Sequence, residues 1–166
     1  MHSDIYWVDA GDLFPGRLAT SPRPRGGDWL EDEVAAWRRA GVDHVASLLT
    51  PPELRELDIE AEAEECGRHG ISFTSVPVED RDVPTSARAF LEVADRLQAE
   101  LQAGRSVLVH CRQGIGRASL LAVAILAQAG ADGADAFARV EAARGRPVPD
   151  TETQREWLLT ALATRP

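Results

Sequence analysis

Cysteine is scarce: the chain has two, Cys66 and Cys111. Two thiols fit a reducing compartment better than a disulfide framework. Long apolar runs are missing as well. No stretch approaches the roughly 20 apolar residues of a membrane span. The opening Met1-His2-Ser3-Asp4 has no basic region followed by an apolar one. A cytoplasmic protein with no membrane attachment is therefore expected. Positive charge is in short supply: 18 Lys and Arg face 27 Asp and Glu, a net charge of −9. Such a chain is a poor partner for nucleic acid or an anionic membrane, so any functional basic residues must be gathered locally. The four histidines, His2, His44, His69 and His110, lack metal-ligand spacing. Neither a metal nor another cofactor is expected. Internal repeats, low-complexity segments and dividing linkers are also absent. The 166 residues read as one domain, 1–166, long enough for a full hydrophobic core.

What is present centres on one stretch, His110-Cys111-Arg112-Gln113-Gly114-Ile115-Gly116-Arg117. Ser106 to Val109 before it is a short apolar, β-branched segment, which predicts a buried strand. Ala118 to Ala129 after it is rich in Ala and Leu without a breaker, which predicts a helix. The stretch is thus a strand-to-helix loop with two glycines. Such a loop turns its backbone N–H groups and the positive end of the helix dipole toward one point, and that point binds an anion. The same amides stabilise a thiolate, so Cys111 is expected to be a nucleophile at neutral pH. Arg117 can fold its guanidinium back over the loop, where its planar fork matches two phosphate oxygens. Gly114 and Gly116 allow unusual φ values and close approach of the backbone. Residues Arg112, Gln113, Gly114, Ile115, Gly116 and Arg117 would hold a phosphoryl group with its phosphorus facing the Cys111 sulfur.

These residues resemble the His-Cys-x5-Arg signature of the cysteine-dependent protein phosphatases. The whole chain is most similar to the small dual-specificity members, of the cyclin-dependent-kinase-associated type and their bacterial relatives. The resemblance implies hydrolysis of a phosphate monoester through a phosphocysteine, with a phosphoprotein as the expected substrate. It also implies a general acid, an aspartate on a loop after a strand, in a Pro-x-x-Asp setting. Pro77 to Pro84 is such a loop, and Asp80 matches; Asp82 is the second choice and Glu79 the third. Asp80 is then expected, as carboxylate, to take a proton from water in the second step. His110 is expected to support the thiolate from behind. A Thr-x-x-Gln segment late in the chain can place a glutamine near the pocket in this superfamily. Gln154 matches it, with a helix-capping role as the equal alternative. One position departs from the family. The residue after the arginine is usually Ser or Thr, whose hydroxyl helps the thiolate leave. Here it is Ala118, and Ser119 is about 100° further round the helix. That departure motivates an alternative, a phosphate-binding pseudophosphatase with little turnover. A rhodanese-like sulfur transfer leaves Arg117 and Asp80 unexplained.

Strand patterns alternate with helical ones along the chain. Strands are expected at Ile5–Val8, Leu18–Thr20, Val42–Leu49 and Ile71–Val76. Helices are expected from an Asp28 cap to Ala40, from Pro51 to His69, from a Thr85 or Ser86 cap to Ala103, and over Gly133–Ala143. A final helix, capped by Asp150 or Thr151, carries Trp157, Leu158 and Leu162. The acidic run Glu60–Glu65 reads as a solvated helix face, and Cys66 as a partly buried free thiol rather than a redox partner of Cys111. The loop Ser21–Gly27, despite its arginines, reads as solvated. The sum is an α/β domain with a central, mainly parallel sheet flanked by helices on both faces, as in dual-specificity phosphatases.

Overall fold

The alternation of strand and helix patterns resolves into a layered α/β fold. A computed structural model describes residues 4–165; His2 and the rest of Met1–Ser3 lie outside the described residues. The strands are β1 (Tyr6–Trp7), β2 (Leu18–Ser21), β3 (His44–Ser47), β4 (Ser72–Ser75) and β5 (Val107–His110). They form one sheet in the order β1-β2-β5-β3-β4, parallel throughout except for β1 against β2. β5 is central. His110 at its end registers with Ser21 of β2 and Ser47 of β3. A strand with neighbours on both edges and helices on both faces has no wet side, which is why Val107–Val109 are all apolar.

The helices are α1 (Leu30–Arg39), α2 (Pro51–Glu56), α3 (Glu62–Arg68), α4 (Ala87–Gln102), α5 (Arg117–Gln128), α6 (Gly133–Arg144) and α7 (Glu152–Ala163). One face of the sheet carries the larger core. There Val107 and Val109 meet Phe90 and Leu97 of α4, Phe137 of α6, Leu158 of α7, and Ala118 and Leu120–Leu126 of α5. The other face carries Leu108 and Val45 against Val34 and Trp37 of α1 and Cys66 of α3. Every residue of α5 from Arg117 to Ala127 is buried, so its all-round apolar composition follows from enclosure by α4, α6 and α7. The expected fold is therefore the observed one. Among the described residues no helix is long and apolar enough to cross a membrane.

Three local expectations are corrected. The helix expected from Asp28 begins at Leu30, after a 3-10 turn over Gly27–Trp29. The helix expected over 51–69 is two helices, broken where Asp58 takes a φ of +55°. Both deviations share a cause. The Gly27 N–H donates to the Asp58 carbonyl at 2.9 Å. A Cβ on Gly26 would lie 2.1 Å from the Leu57 carbonyl oxygen. The two turns interlock, and neither chain segment continues its helix through the contact. Finally, the acidic run 60–65 is not wholly solvated. Glu62 is buried, one turn before buried Cys66 on the same face of α3.

Candidate active site

Cys111 is the first residue beyond β5, at the carboxyl end of the central strand, where open α/β sheets bind ligands. It is buried, and it lines a cleft of about 100 Å³ with Asp80, Arg81, Arg112, Gly116 and Asp150. Gln113 lies exposed at the rim, while Ile115 is buried and anchors the loop in the core. Gly114 has a φ of +73°, and a Cβ there would stand 2.7 Å from the Ser21 backbone. Only glycine fits that combination. Among the described residues, none of the N–H groups of residues 112–116 donates to a protein acceptor. Unpartnered amides in a loop that leads into a helix, here α5 at Arg117, are an arrangement able to hold an anion.

Arg117 is 1% exposed, and its guanidinium is fixed from behind. Nη1 donates to Glu53 Oε1 at 2.7 Å, to the Val78 carbonyl at 2.8 Å and to the Leu48 carbonyl at 3.4 Å. Nη2 donates to Glu53 Oε2 at 3.0 Å and pairs with Asp80 Oδ1 at 3.2 Å. Nε has no partner. Burial opposes the charge on Arg117. The Glu53 hydrogen bond, then the attraction of Cys111, Glu53 and Asp80, outweigh it and raise the pKa. For Glu53 burial works toward the neutral acid. The Arg117 hydrogen bond and the Thr50 amide overcome it and hold the carboxyl at about 2. Glu53 thus compensates the buried cation. The sequence reading missed it because Glu53 sits at the third position of α2, where Thr50-x-x-Glu53 is also a capping pattern. It serves both ends: Glu53 Oε1 accepts from the Thr50 N–H at 3.0 Å.

His110 is fully buried. Its Nε2 lies 2.5 Å from Glu62 Oε2, and its Nδ1 lies 3.3 Å from the Cys111 carbonyl. Its ring also tilts against Trp37 at 5.8 Å. The pair Glu62–His110 sits on the far side of the sheet end and braces the backbone of the cysteine. A signal for Glu62 existed: it lies four residues before Cys66, on the inward side of α3.

In the acid loop, Asp80 reaches both the cleft and Arg117. Asp82 and Glu79 do not line it. Asp82 turns its carboxylate onto the Val83 N–H at 2.7 Å, and its carbonyl accepts from Gln154 Nε2 at 3.0 Å. Gln154 is fully buried, and its Oε1 accepts from the Thr151 N–H at 3.1 Å. It closes a capping box with Thr151 and ties the acid loop to α7. Thr151 is the cap of that helix. Asp150, the other candidate cap, points into the cleft instead.

Arg112 pairs with Glu56 at 3.0 Å and with Glu53 at 3.6 Å. Ala118 packs in the core. Ser119 Oγ is buried without a hydrogen-bond partner, so it does not bond the Cys111 sulfur. Cys66 is a free, fully buried thiol in the opposite core layer from Cys111. Burial first, then Glu62 and Glu65, push it up to about 12. In the loop 21–27, Arg25 pairs with buried Glu33 at 3.0 Å.

A family model described as dual specificity phosphatase, catalytic domain, matches residues 47–161. No curated protein matches the chain by sequence. Among solved structures, kinase associated phosphatase with its catalytic-site cysteine replaced by serine superposes with a TM-score of 0.86 at 18% identity. That match covers 100% of this chain and 99% of the other. Tk-PTP in its active form gives a TM-score of 0.76 at 25% identity, covering 97% and 98%. A tyrosine phosphatase (putative) from Leishmania major gives 0.73 at 22%, covering 94% and 97%. With the family model spanning both the 77–84 loop and the cysteine loop, the chain belongs to the dual specificity phosphatase family, hydrolases of phosphorylated substrates.

Proposed function

We propose that the chain, acting as a single phosphatase-like domain over 1–166, dephosphorylates phosphotyrosine or phosphoserine/threonine in proteins through a phosphocysteine at Cys111. The observation that carries this reading is one cleft that joins a thiol, a set of unpartnered donors and a carboxylate. The donors are the N–H groups of residues 112–116, and buried Arg117, whose Nε has no protein partner, adds its charge behind them. Together they match the equatorial oxygens of a phosphoryl group in transit. The Cys111 sulfur attacks phosphorus in line. The P–O bond to the leaving group breaks, and Asp80 supplies the proton to the departing oxygen. The phosphoryl group then sits on sulfur until water releases it. Arg117 acts throughout as a fixed cation, since Glu53 and the carbonyls of Leu48 and Val78 hold its Nη groups. The catalytic-site cysteine named for kinase associated phosphatase supports the role of Cys111. A phosphoprotein fits better than a lipid, because the loop carries Arg112 and Ile115 rather than lysines. The acidic net charge of −9 also disfavours RNA.

The test is hydrolysis of an aryl phosphate by wild type and by Cys111→Ser. Turnover that vanishes in the variant, while a phosphotyrosine peptide still binds, is the expected result. Equal turnover in both would overturn the role of Cys111. Phosphate binding with no turnover in wild type would establish the binding-module alternative that Ala118 suggests.

A further inference from the structure

The cleft holds a second carboxylate that the acid loop does not supply. Asp150 belongs to the turn between α6 and α7, and its side chain lies over the phosphate loop. A Cβ on Gly116 would stand 2.3 Å from Asp150 Oδ2 and 3.0 Å from its Cγ. Position 116 is therefore open for Asp150, not for the turn alone. The residue is half-buried and shares the cleft with Cys111 and Asp80. Its placement is enforced. Thr151 caps α7 through the Gln154 N–H at 3.1 Å, which fixes the backbone one residue later. Among the described residues no hydrogen bond or ion pair engages the Asp150 carboxylate. Asp80 differs: its Oδ1 is paired with Arg117 at 3.2 Å.

Two features of the site leave the second half-reaction short of help. Ala118 offers no hydroxyl to the departing thiolate, and Ser119 Oγ does not bond the sulfur. Release of phosphate then depends more heavily on activating the water. Resting on the phosphatase reading above, we propose that Asp150 is the general base of phosphocysteine hydrolysis. In this step a water oxygen forms a bond to phosphorus and passes one proton to the Asp150 carboxylate. The P–S bond breaks, and its electron pair returns to Cys111 as the thiolate. Inorganic phosphate leaves, and Asp150 loses its proton to solvent. Asp80 then acts as acid in the first step alone, rather than as acid and base in turn as the sequence suggests, because its carboxylate is held on Arg117 at 3.2 Å while that of Asp150 is not.

Rapid-mixing kinetics on 4-nitrophenyl phosphate test the assignment with Asp150→Asn, Asp150→Ser and Asp150→Glu. In Asp150→Asn the nitrophenolate burst, one equivalent per chain, keeps its rate. The steady-state rate falls roughly 100-fold. Acid quench then traps phosphoenzyme in excess of wild type. The steady-state pH profile of this variant loses its acidic limb, and Asp150→Glu restores part of the rate. Asp150→Ser, which removes bulk as well as charge, gives the same pattern. A steady-state rate within about 2-fold of wild type would overturn the proposal, and so would burst and steady state slowed equally. Those two results, in an enzyme whose wild type turns over and whose Cys111→Ser form does not, would leave the phosphatase reading intact. No turnover in wild type would overturn both.

Discussion

Glu53→Gln isolates the charge behind the Cys111–Arg117 loop without changing its shape. The Glu53 carboxyl is held at about 2 against a usual 4.5. A difference of that size corresponds to about 3 kcal/mol of folding free energy at neutral pH. The Glu53 side chain is 11% exposed and Arg117 is 1% exposed, so solvent screens little of it. Because the folded value is depressed, the contribution is complete above the unfolded value near 4.5. It is lost as pH falls through about 2. Glutamine keeps one acceptor for Nη1 but removes the buried counter-charge and leaves half-exposed Asp80 as the remaining carboxylate; breaking a buried pair costs at most about 3–5 kcal/mol. For a domain of this size a loss of about 3 kcal/mol lowers Tm by about 6–12 °C. Thermal melts followed by circular dichroism, from pH 7 to pH 2.5, read the effect. Glu53→Gln melts lower at pH 7, and the gap to wild type closes as the medium becomes acid. A gap under about 2 °C at pH 7, or one independent of pH, would refute the electrostatic account of Arg117.

Further outcomes are expected at neighbouring sites. Asp80→Asn slows an alkyl or tyrosyl phosphate roughly 100-fold but an ester with a good leaving group far less; equal losses would remove Asp80 as the acid. Gly114→Ala places a Cβ 2.7 Å from the Ser21 backbone at a φ of +73°. It costs more than about 2 kcal/mol and abolishes vanadate binding, both measurable by melting with and without the anion. Cys66, pushed up to about 12 by burial, resists alkylation at pH 7 in the folded protein, while Cys111 reacts; peptide mapping that finds Cys66 labelled first would contradict its enclosure.

Much of this was legible in the sequence, and the reasons are local. Strand, loop and helix around Cys111 each carry their own signal: a β-branched run, two glycines and an unbroken Ala-Leu stretch. The alternation of strands with helices gives the layered fold. What could not be read is tertiary. Glu53 carries a capping pattern that hides its second role, and Glu62, although in step with Cys66 on α3, stands in an acidic run; their partners Arg117 and His110 come from distant segments. The break at Asp58 depends on Gly26 and Gly27, about thirty positions earlier, a contact no window along the chain contains. Asp150 carries an ordinary capping signal. Its place over the cleft follows from Thr151 taking the cap and from Gly116 leaving room.

In the proposed reaction phosphate passes through Cys111. Mass spectrometry of protein quenched in acid within the first turnover of a phosphotyrosine peptide reads this step. One added phosphoryl group is expected, mapped to the peptide containing Cys111 and absent in Cys111→Ser. Turnover without any such adduct, in Asp150→Asn as well as in wild type, would contradict it.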